Sequence, residues 1–385
     1  MPQWNRHRQD NLIRVVETLW RQSGISRADV ARLLRLDRST VGSCVEHLMA
    51  EGIVAEGARG EGGPVGGRPP VLLSLRPEYG YSIGVELSGD TVVLLATNLA
   101  GDVVDHVVHR ELIPTDGLTH RLVELIHDFR VRLADQGFSR LLSVAVGVSG
   151  MVDTAEGEIL LSRTLGIPGP FPLGRALAGT LNAPVWVLND ADACAVGELE
   201  YGAGRNLGGD TSDILFVLVR YRVPEDLRHA RLNAGLGVVL DGRLREAYSG
   251  GGREFRSPFV PVHSTEQFAT AERSRRGEFT DARDLQAEFA EELGKSVAFL
   301  VHALDLRNVV LGGDLLLDTV DYAVFEERIR HHVISSTARV ETQPLDLTQP
   351  YAGEIAVSFG ASAAAVRRMF RNRAFPLHSE AHGLG

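Results

Sequence analysis

SRADVARLLRLDRSTVGSCVEHLMAEGIVAEGARGEGGPVGGRPPVLLSL, residues 26–75, is the stretch that decides how the rest of the chain is read. Ser26-Arg27-Ala28-Asp29 has the form of a capping box, a hydroxyl followed three residues later by an acid. It opens a short helix that ends at the tight connection Leu34-Arg35-Leu36. Asp37 can cap the next helix, whose inner face is Val41, Val45 and Leu48. Ser39, Ser43, Glu46 and His47 point away from that face. Two helices joined by a tight turn, the second polar outward and rich in Arg, Ser and Thr at its start, fit a DNA major groove. Upstream, Asn5–Arg21 repeats Leu12, Ile13, Val16, Leu19 and Trp20 at helical spacing. Downstream come two short apolar strands, Ile53–Glu56 and Val71–Leu75. A glycine-rich loop with Arg59 and Gly66-Gly67-Arg68-Pro69-Pro70 joins them as a wing. A small helical docking domain is the alternative, and the wing tip argues against it. The expected DNA contacts are Arg38, Ser39, Thr40 and Ser43 on the helix. Arg68 at the wing would reach phosphate or the adjacent minor groove. Gly42 costs the helix about 0.5–1 kcal/mol relative to Ala.

The 385 residues, 44% apolar and 23% charged, suffice for two or three domains with full cores. No apolar run approaches the roughly 18 residues of a membrane span. Cys44 and Cys194 lie in different segments and form no framework, so a reducing cytoplasm is expected. The net charge of −10 is unevenly spread: the first 80 residues hold 11 Arg against 9 acids, the remainder 29 basic residues against 41 acidic. A slightly basic head on an acidic body suits a protein whose head meets phosphate.

After Arg76-Pro77 the pattern becomes strand–turn–strand: Tyr81–Leu87, Thr91–Asn98 and Asp102–His109. Then follow a helix (Thr119–Gln136), a buried strand (Leu141–Gly147), a helix (Pro172–Leu181), a strand (Pro184–Leu188) and a helix (Ala191–Tyr201). A second strand pair, Asp213–Arg220 and Leu236–Leu240, precedes a long helix (Leu285–Leu306), the strand Asn308–Leu311 and a closing Ala-rich helix, Glu354–Phe370. The unit recurs, which predicts an α/β body of two similar lobes with a cleft at the strand ends. The expected domains are a winged helix-turn-helix over 1–76, a first lobe over 77–190 and a second over 191–385, with the closing helix able to pack back on the first lobe.

Several short motifs stand in a fixed order: Gly67–Pro70, Gly147-Val148-Ser149-Gly150, Asn189-Asp190-Ala191-Asp192-Ala193, Gly202-Ala203-Gly204-Arg205, Gly252-Arg253-Glu254-Phe255 and Val309–Asp314. In these the chain resembles the ROK family of repressors and sugar kinases, whose body is an actin-like (ribonuclease H-like, ASKHA) double lobe. The resemblance implies a sugar pocket built from Asn189, Asp190, Glu254 and Gly150. In ROK kinases the residue matching Asp190 is the general base, and the Asn binds neighbouring hydroxyls. The residues alone leave open whether Asp190 faces a ligand or caps the helix at Ala191. They likewise leave Glu254 as ligand contact or solvated acid.

The chain also departs from the family. Ser257 stands where the family has a histidine, and the cysteine ligands of its structural zinc are missing, so no metal is expected. The first phosphate turn reads Glu86-Leu87-Ser88-Gly89-Asp90, with an anion where the kinases have Thr. The second is interrupted by Arg220–Asn233, which reads as a polar insertion; a solvated loop is favoured over a clamp for an acidic or phosphorylated sugar. ATP binding therefore looks lost, no cofactor is expected, and Asp190 is a vestigial base. The resulting expectation is a cytoplasmic, sugar-responsive transcriptional repressor of carbohydrate genes. It would pair as a homodimer or homotetramer on an inverted-repeat, double-stranded DNA operator, with a sugar or sugar phosphate as effector. The competing reading is a ROK-type sugar kinase with an attached DNA-binding domain.

Overall fold

The structure, a computed structural model, describes residues 3–59, 69–202, 213–246, 255–335 and 345–377. The N-terminal unit is α1 (Gln3–Arg21), β1 (Ile25–Ser26), α2 (Arg27–Leu34), α3 (Arg38–Ala50), β2 (Val54–Arg59) and β3 (Val71–Leu75). The capping box forms in full: Ser26 accepts from the Asp29 amide and the Asp29 side chain accepts from the Ser26 amide. Arg35 closes α2 in the left-handed region, φ 53°, where its amide satisfies the carbonyls of Ala31 and Arg32. Asp37 stands at the N-cap of α3, but its carboxylate makes no capping bond, contrary to the sequence expectation. The wing strands pair antiparallel and recruit a third strand that periodicity did not show: Ile25 and Ser26 pair with Leu73 and Leu72.

The body repeats one sheet topology. In the first lobe β4 (Tyr81–Ser88), β5 (Thr91–Asn98) and β6 (Val103–Arg110) form an antiparallel meander. Helix α4 (Leu118–Asp135) leads to β7 (Leu141–Val148), then come the small pair β8 (Met151–Asp153) and β9 (Glu158–Leu161), α5 (Leu173–Leu181) and β10 (Val185–Asn189). The sheet order is β10-β7-β4-β5-β6, with β7 and β10 parallel to β4. Helix α6 (Asp190–Glu200) crosses to the second lobe. There β11 (Ile214–Arg222), β12 (Arg231–Leu240), β13 (Arg243–Leu244), α7 (Ala269–Arg275), α8 (Ala282–Ala303), β14 (Asn308–Gly313), α9 (Tyr322–Ser335) and β15 (Asp346–Thr348) give the order β13-β12-β11-β14-β15. Numbered within each lobe, both sheets read 3-2-1-4-5. The chain closes with α10 (Ala356–Arg371).

Each sheet carries an apolar layer on one face. Leu122, Leu125, Ile126 and Phe129 of α4 fill the first; Phe289, Leu293 and Val297 of α8, with Phe325 and Ile329 of α9, fill the second. On the opposite faces α10 lies against the first sheet and α6 against the second. The approach is close: a Cβ on Gly84 would fall 1.8 Å from the Ser358 carbonyl oxygen, and one on Gly237 would fall 2.2 Å from that of Ala191. Gly235 and Gly237 thus lie within β12 and make room for α6. The two helices touch each other, because a Cβ on Gly360 would lie 2.0 Å from the Ala193 carbonyl oxygen. Among the described residues no helix is long and apolar enough to cross a membrane.

Candidate functional site

Strand β10 runs parallel to β7, pairing Asn189 with Val148, and this delivers Asn189 and Asp190 to the strand ends facing the cleft. Asn189 caps α6; its Oδ1 accepts from the amides of Ala191 (2.9 Å) and Asp192 (3.2 Å), and its Nδ2 donates to the Gly150 carbonyl (3.0 Å). The cap is therefore Asn189 and not Asp190, and α6 begins one residue earlier than its sequence suggests. An amide oxygen holding two bonds is full, so Asn189 can offer a ligand one N–H and no acceptor. Gly150 sits at φ +139°, where a Cβ would fall 2.4 Å from the Leu161 carbonyl oxygen, so only glycine fits. Asp190 is buried, and its Oδ1 also accepts from the Ala191 amide at 3.0 Å.

Arg220 sets the electrostatics of this place. Its guanidinium donates to Glu86 at 2.8 Å and to Asp190 at 3.3 Å, and lies 3.8 Å from Asp314. Burial works against its charge, yet Glu86, Asp190 and Asp314 together hold its pKa above the ordinary value. Burial pushes the Glu86 carboxyl up, opposed by the same guanidinium. Asp314, at the end of β14, accepts from the Tyr221 amide at 3.0 Å, which fixes the carboxylate against the hairpin. One position further out, Arg222 bonds both oxygens of Asp90 at 3.1 and 3.2 Å. Two ion pairs thus join the β4–β5 hairpin of the first lobe to the β11–β12 hairpin of the second.

The segment Arg220–Asn233 is not the solvated insertion its composition suggests. Strands β11 and β12 continue through it, pairing Arg220 with Asn233, Tyr221 with Leu232 and Arg222 with Arg231. Alternation then does the sorting. Tyr221 and Leu232 enter the core, Tyr221 stacking on Phe289 with centroids 5.9 Å apart. Arg220, Arg222, Arg231 and Asn233 all face the cleft.

That cleft encloses about 640 Å³. Asn189, Asp190, Gly150, Ser149 and Thr164 line one side, and Asn233, Gln267 and the arginine face line the other, joined by Arg163 and Arg275. Arg163 reaches across to the Thr265 carbonyl at 3.4 Å, and Arg275 pairs with Glu266 at 2.6 Å. Arg163, Asn233, Gln267 and Arg275 were missed from sequence, because none lies in a motif. Ser257 is buried outside the cleft lining, its amide donating to the Gln267 carbonyl at 2.8 Å. Glu254 and Arg68 lie outside the described residues.

On the head, Arg38, Ser39 and Ser43 are exposed along α3 and Thr40 is half-buried. The head and body share one core. Trp20 of α1 packs on Phe370 of α10 and donates from its indole to the Tyr201 hydroxyl at 2.9 Å. Tyr79 stacks on Phe375, and Leu99 and Leu142 of the first lobe join the same cluster. Glu200, the last residue of α6, accepts from Arg21 of the head at 3.2 Å and from Arg367 of α10 at 2.7 Å. Helix α6 therefore starts in the cleft and finishes on the head, about 16 Å away at 1.5 Å per residue.

Residues 82–220 match the ROK family, and residues 8–55 match a winged helix-turn-helix DNA-binding family. The chain is 28% identical to the xylose repressor of Caldicellulosiruptor bescii over 63% of its own length and 57% of that protein. It is 26% identical to the DNA-binding transcriptional repressor Mlc of Escherichia coli over 58% of its length and 52% of that protein. The chain spans a little over half the length of these curated relatives. The crystal structure of a ROK family transcriptional regulator, a homologue of the E. coli Mlc protein, superposes with a TM-score of 0.70 at 17% identity, covering 95% of this chain and 97% of the other. That likeness establishes a common fold across head and body. The chain carries a ROK family domain behind an N-terminal winged helix-turn-helix.

Proposed function

We propose that the protein is a DNA-binding transcriptional repressor whose operator affinity is set by a sugar or sugar derivative bound between the lobes. Helix α6 carries this reading: its first residues, Asn189 and Asp190, line the cleft, while Glu200 and the adjoining Tyr201 hold α1 of the winged helix. A ligand that draws on Asp190 acts on one end of a short rigid rod whose other end positions the head. The ligand changes DNA affinity only by as much as it favours one head position over another. Arg38, Ser39, Thr40, Ser43 and Arg68 are the proposed DNA contacts, and Glu254 a further sugar contact. Two copies would pair on an inverted repeat, since one winged helix reads few bases. The units proposed are 1–76, 77–190 and 191–385, in a cytoplasmic protein.

The same site argues against phosphoryl transfer. The buried Arg220–Glu86 pair already bridges the two turns between which a nucleotide's phosphates would sit, so a triphosphate would have to break that pair and meet the freed Glu86 carboxylate. The chemistry left to Asp190 is to accept a sugar hydroxyl proton in a hydrogen bond.

The test is DNA selection with the full chain, followed by anisotropy titrations of the selected duplex against a sugar panel. One sugar should change operator affinity about tenfold, a coupling of about 1.4 kcal/mol. Asp190→Ala should abolish that response and keep DNA binding, and Arg38→Ala should weaken DNA binding and keep sugar binding. Release of ADP from ATP in the presence of a sugar, lost in Asp190→Asn, would instead make the protein a sugar kinase with an attached head.

A further inference from the structure

We infer that the cleft takes an anionic sugar, one bearing a phosphate or carboxylate group, and that Arg222 and Arg231 hold the charged group between them. The inference rests on the sugar-responsive reading above and goes beyond it in naming the ligand class. It starts from a placement that is otherwise unfavourable. Arg222 and Arg231 are direct partners across the β11–β12 ladder, so their side chains leave the same face side by side. Like charges directly opposite one another destabilise a strand pair. Both side chains line the cleft.

The nearby acids do not remove the conflict. Asp190 is held by Arg220, Glu266 by Arg275, Asp90 by Arg222, and Asp314 by both Arg220 and Arg222 at 3.8 Å. Arg231 is exposed and has no acidic partner among the described residues. The Arg222–Asp90 pair is itself half open to solvent, with side-chain exposures of 50% and 60%. A ligand oxygen can therefore replace Asp90 on Arg222 at little cost, while the longer contact of Arg222 with Asp314 stays in place. A phosphate or carboxylate offers two or more oxygens to two guanidinium forks, the arrangement in which arginine binds anions best. Further into the cleft Arg220 stays occupied by Glu86 and Asp190, leaving Asp190 and the free N–H of Asn189 for ring hydroxyls. One end of the site thus reads charge and the other reads hydroxyls.

Calorimetric titration of the full chain tests this with hexoses and pentoses, their terminal phosphates, the matching uronic acids, and inorganic phosphate alone. At least one anionic derivative should bind about tenfold more tightly than its neutral parent; whether phosphate or uronate wins identifies the group. Arg231→Gln, at an exposed position that folding tolerates, should erase that margin while leaving the neutral parent's affinity within about twofold. A neutral sugar that binds as tightly as both of its charged derivatives overturns this inference and leaves the repressor reading standing. So does a margin that survives in both Arg231→Gln and Arg222→Gln, or inorganic phosphate binding as tightly as any sugar phosphate. Failure of every sugar, neutral and charged, to bind overturns both readings.

Discussion

The two lobes share a sheet order, 3-2-1-4-5, yet the first hairpin of each carries opposite charge into the cleft. In the first lobe the β4–β5 hairpin turns at Ser88-Gly89-Asp90 and presents Glu86 and Asp90. In the second the β11–β12 hairpin runs longer and presents Arg220, Arg222 and Arg231. A duplicated architecture therefore does not imply duplicated chemistry. The body has turned matching positions into a complementary pair, and the space between them is bridged from within. Ring hydroxyls would be met at Asp190, where the first lobe hands over to α6.

The comparison breaks most readily at Arg220. Arg220→Ala strands Glu86 and Asp190 without a cation and leaves Asp314 only the longer contact with Arg222, and should cost about 3 kcal/mol, the low end for removing one partner of a buried ion pair. Urea unfolding of the two proteins measures it, and a loss below about 1 kcal/mol would mean that the carboxylates are solvated and the bridge is ornamental.

A second test concerns how the lobes are tied. Gly360 brings α10 against α6, so Gly360→Ala must push the helices apart and should cost about 1–3 kcal/mol. Because α6 also holds the head, its DNA response to ligand should weaken at the same time. A stable variant with unchanged response would show that the helices are not coupled at this crossing.

The pH dependence sharpens the contrast between the hairpins. Burial raises the Glu86 pKa above 4.5. The folded chain thus keeps this proton to higher pH than the unfolded one. The associated stability is fully present below pH 4.5 and is lost as pH rises through the raised value. Glu86→Gln should flatten unfolding midpoints across that window, and an unchanged slope would assign the titration elsewhere. The smallest effect is expected at Asp90 and Arg222, both open to solvent. A double-mutant cycle should return about 0.2–1 kcal/mol, shrinking with added salt.

What the sequence revealed follows the range of the forces involved. The capping box at Ser26 and Asp29 was legible because three residues contain the whole motif. The two lobes were legible because strand and helix periods repeat along the chain. The β1–β3 pairing was not, since two residues show no period and their partners lie 48 and 46 positions on. That Asn189, expected at a ligand, also caps α6 was not legible, because its bonds are decided by backbone amides that sequence does not orient. The hairpin at Arg220–Asn233 was misread from its polarity. Arg-Tyr-Arg and Arg-Leu-Asn already alternate polar and apolar, which is a strand with one face buried. No pattern within that segment could have revealed the Arg220 partner Glu86, which is 134 residues away.

The shared core around Trp20, Tyr79, Phe370 and Phe375 also governs how the molecule can be re-engineered. A chimera joined at residue 76 would not exchange a detachable module. It would strip apolar cover from Leu99, Leu142 and Met369, and leave Glu200 with Arg367 but without Arg21. Heads borrowed from other chains will need matching surfaces on α1, and in the proposed dimer the body, through that weld, would dictate the distance between DNA half-sites that a pair of heads can span.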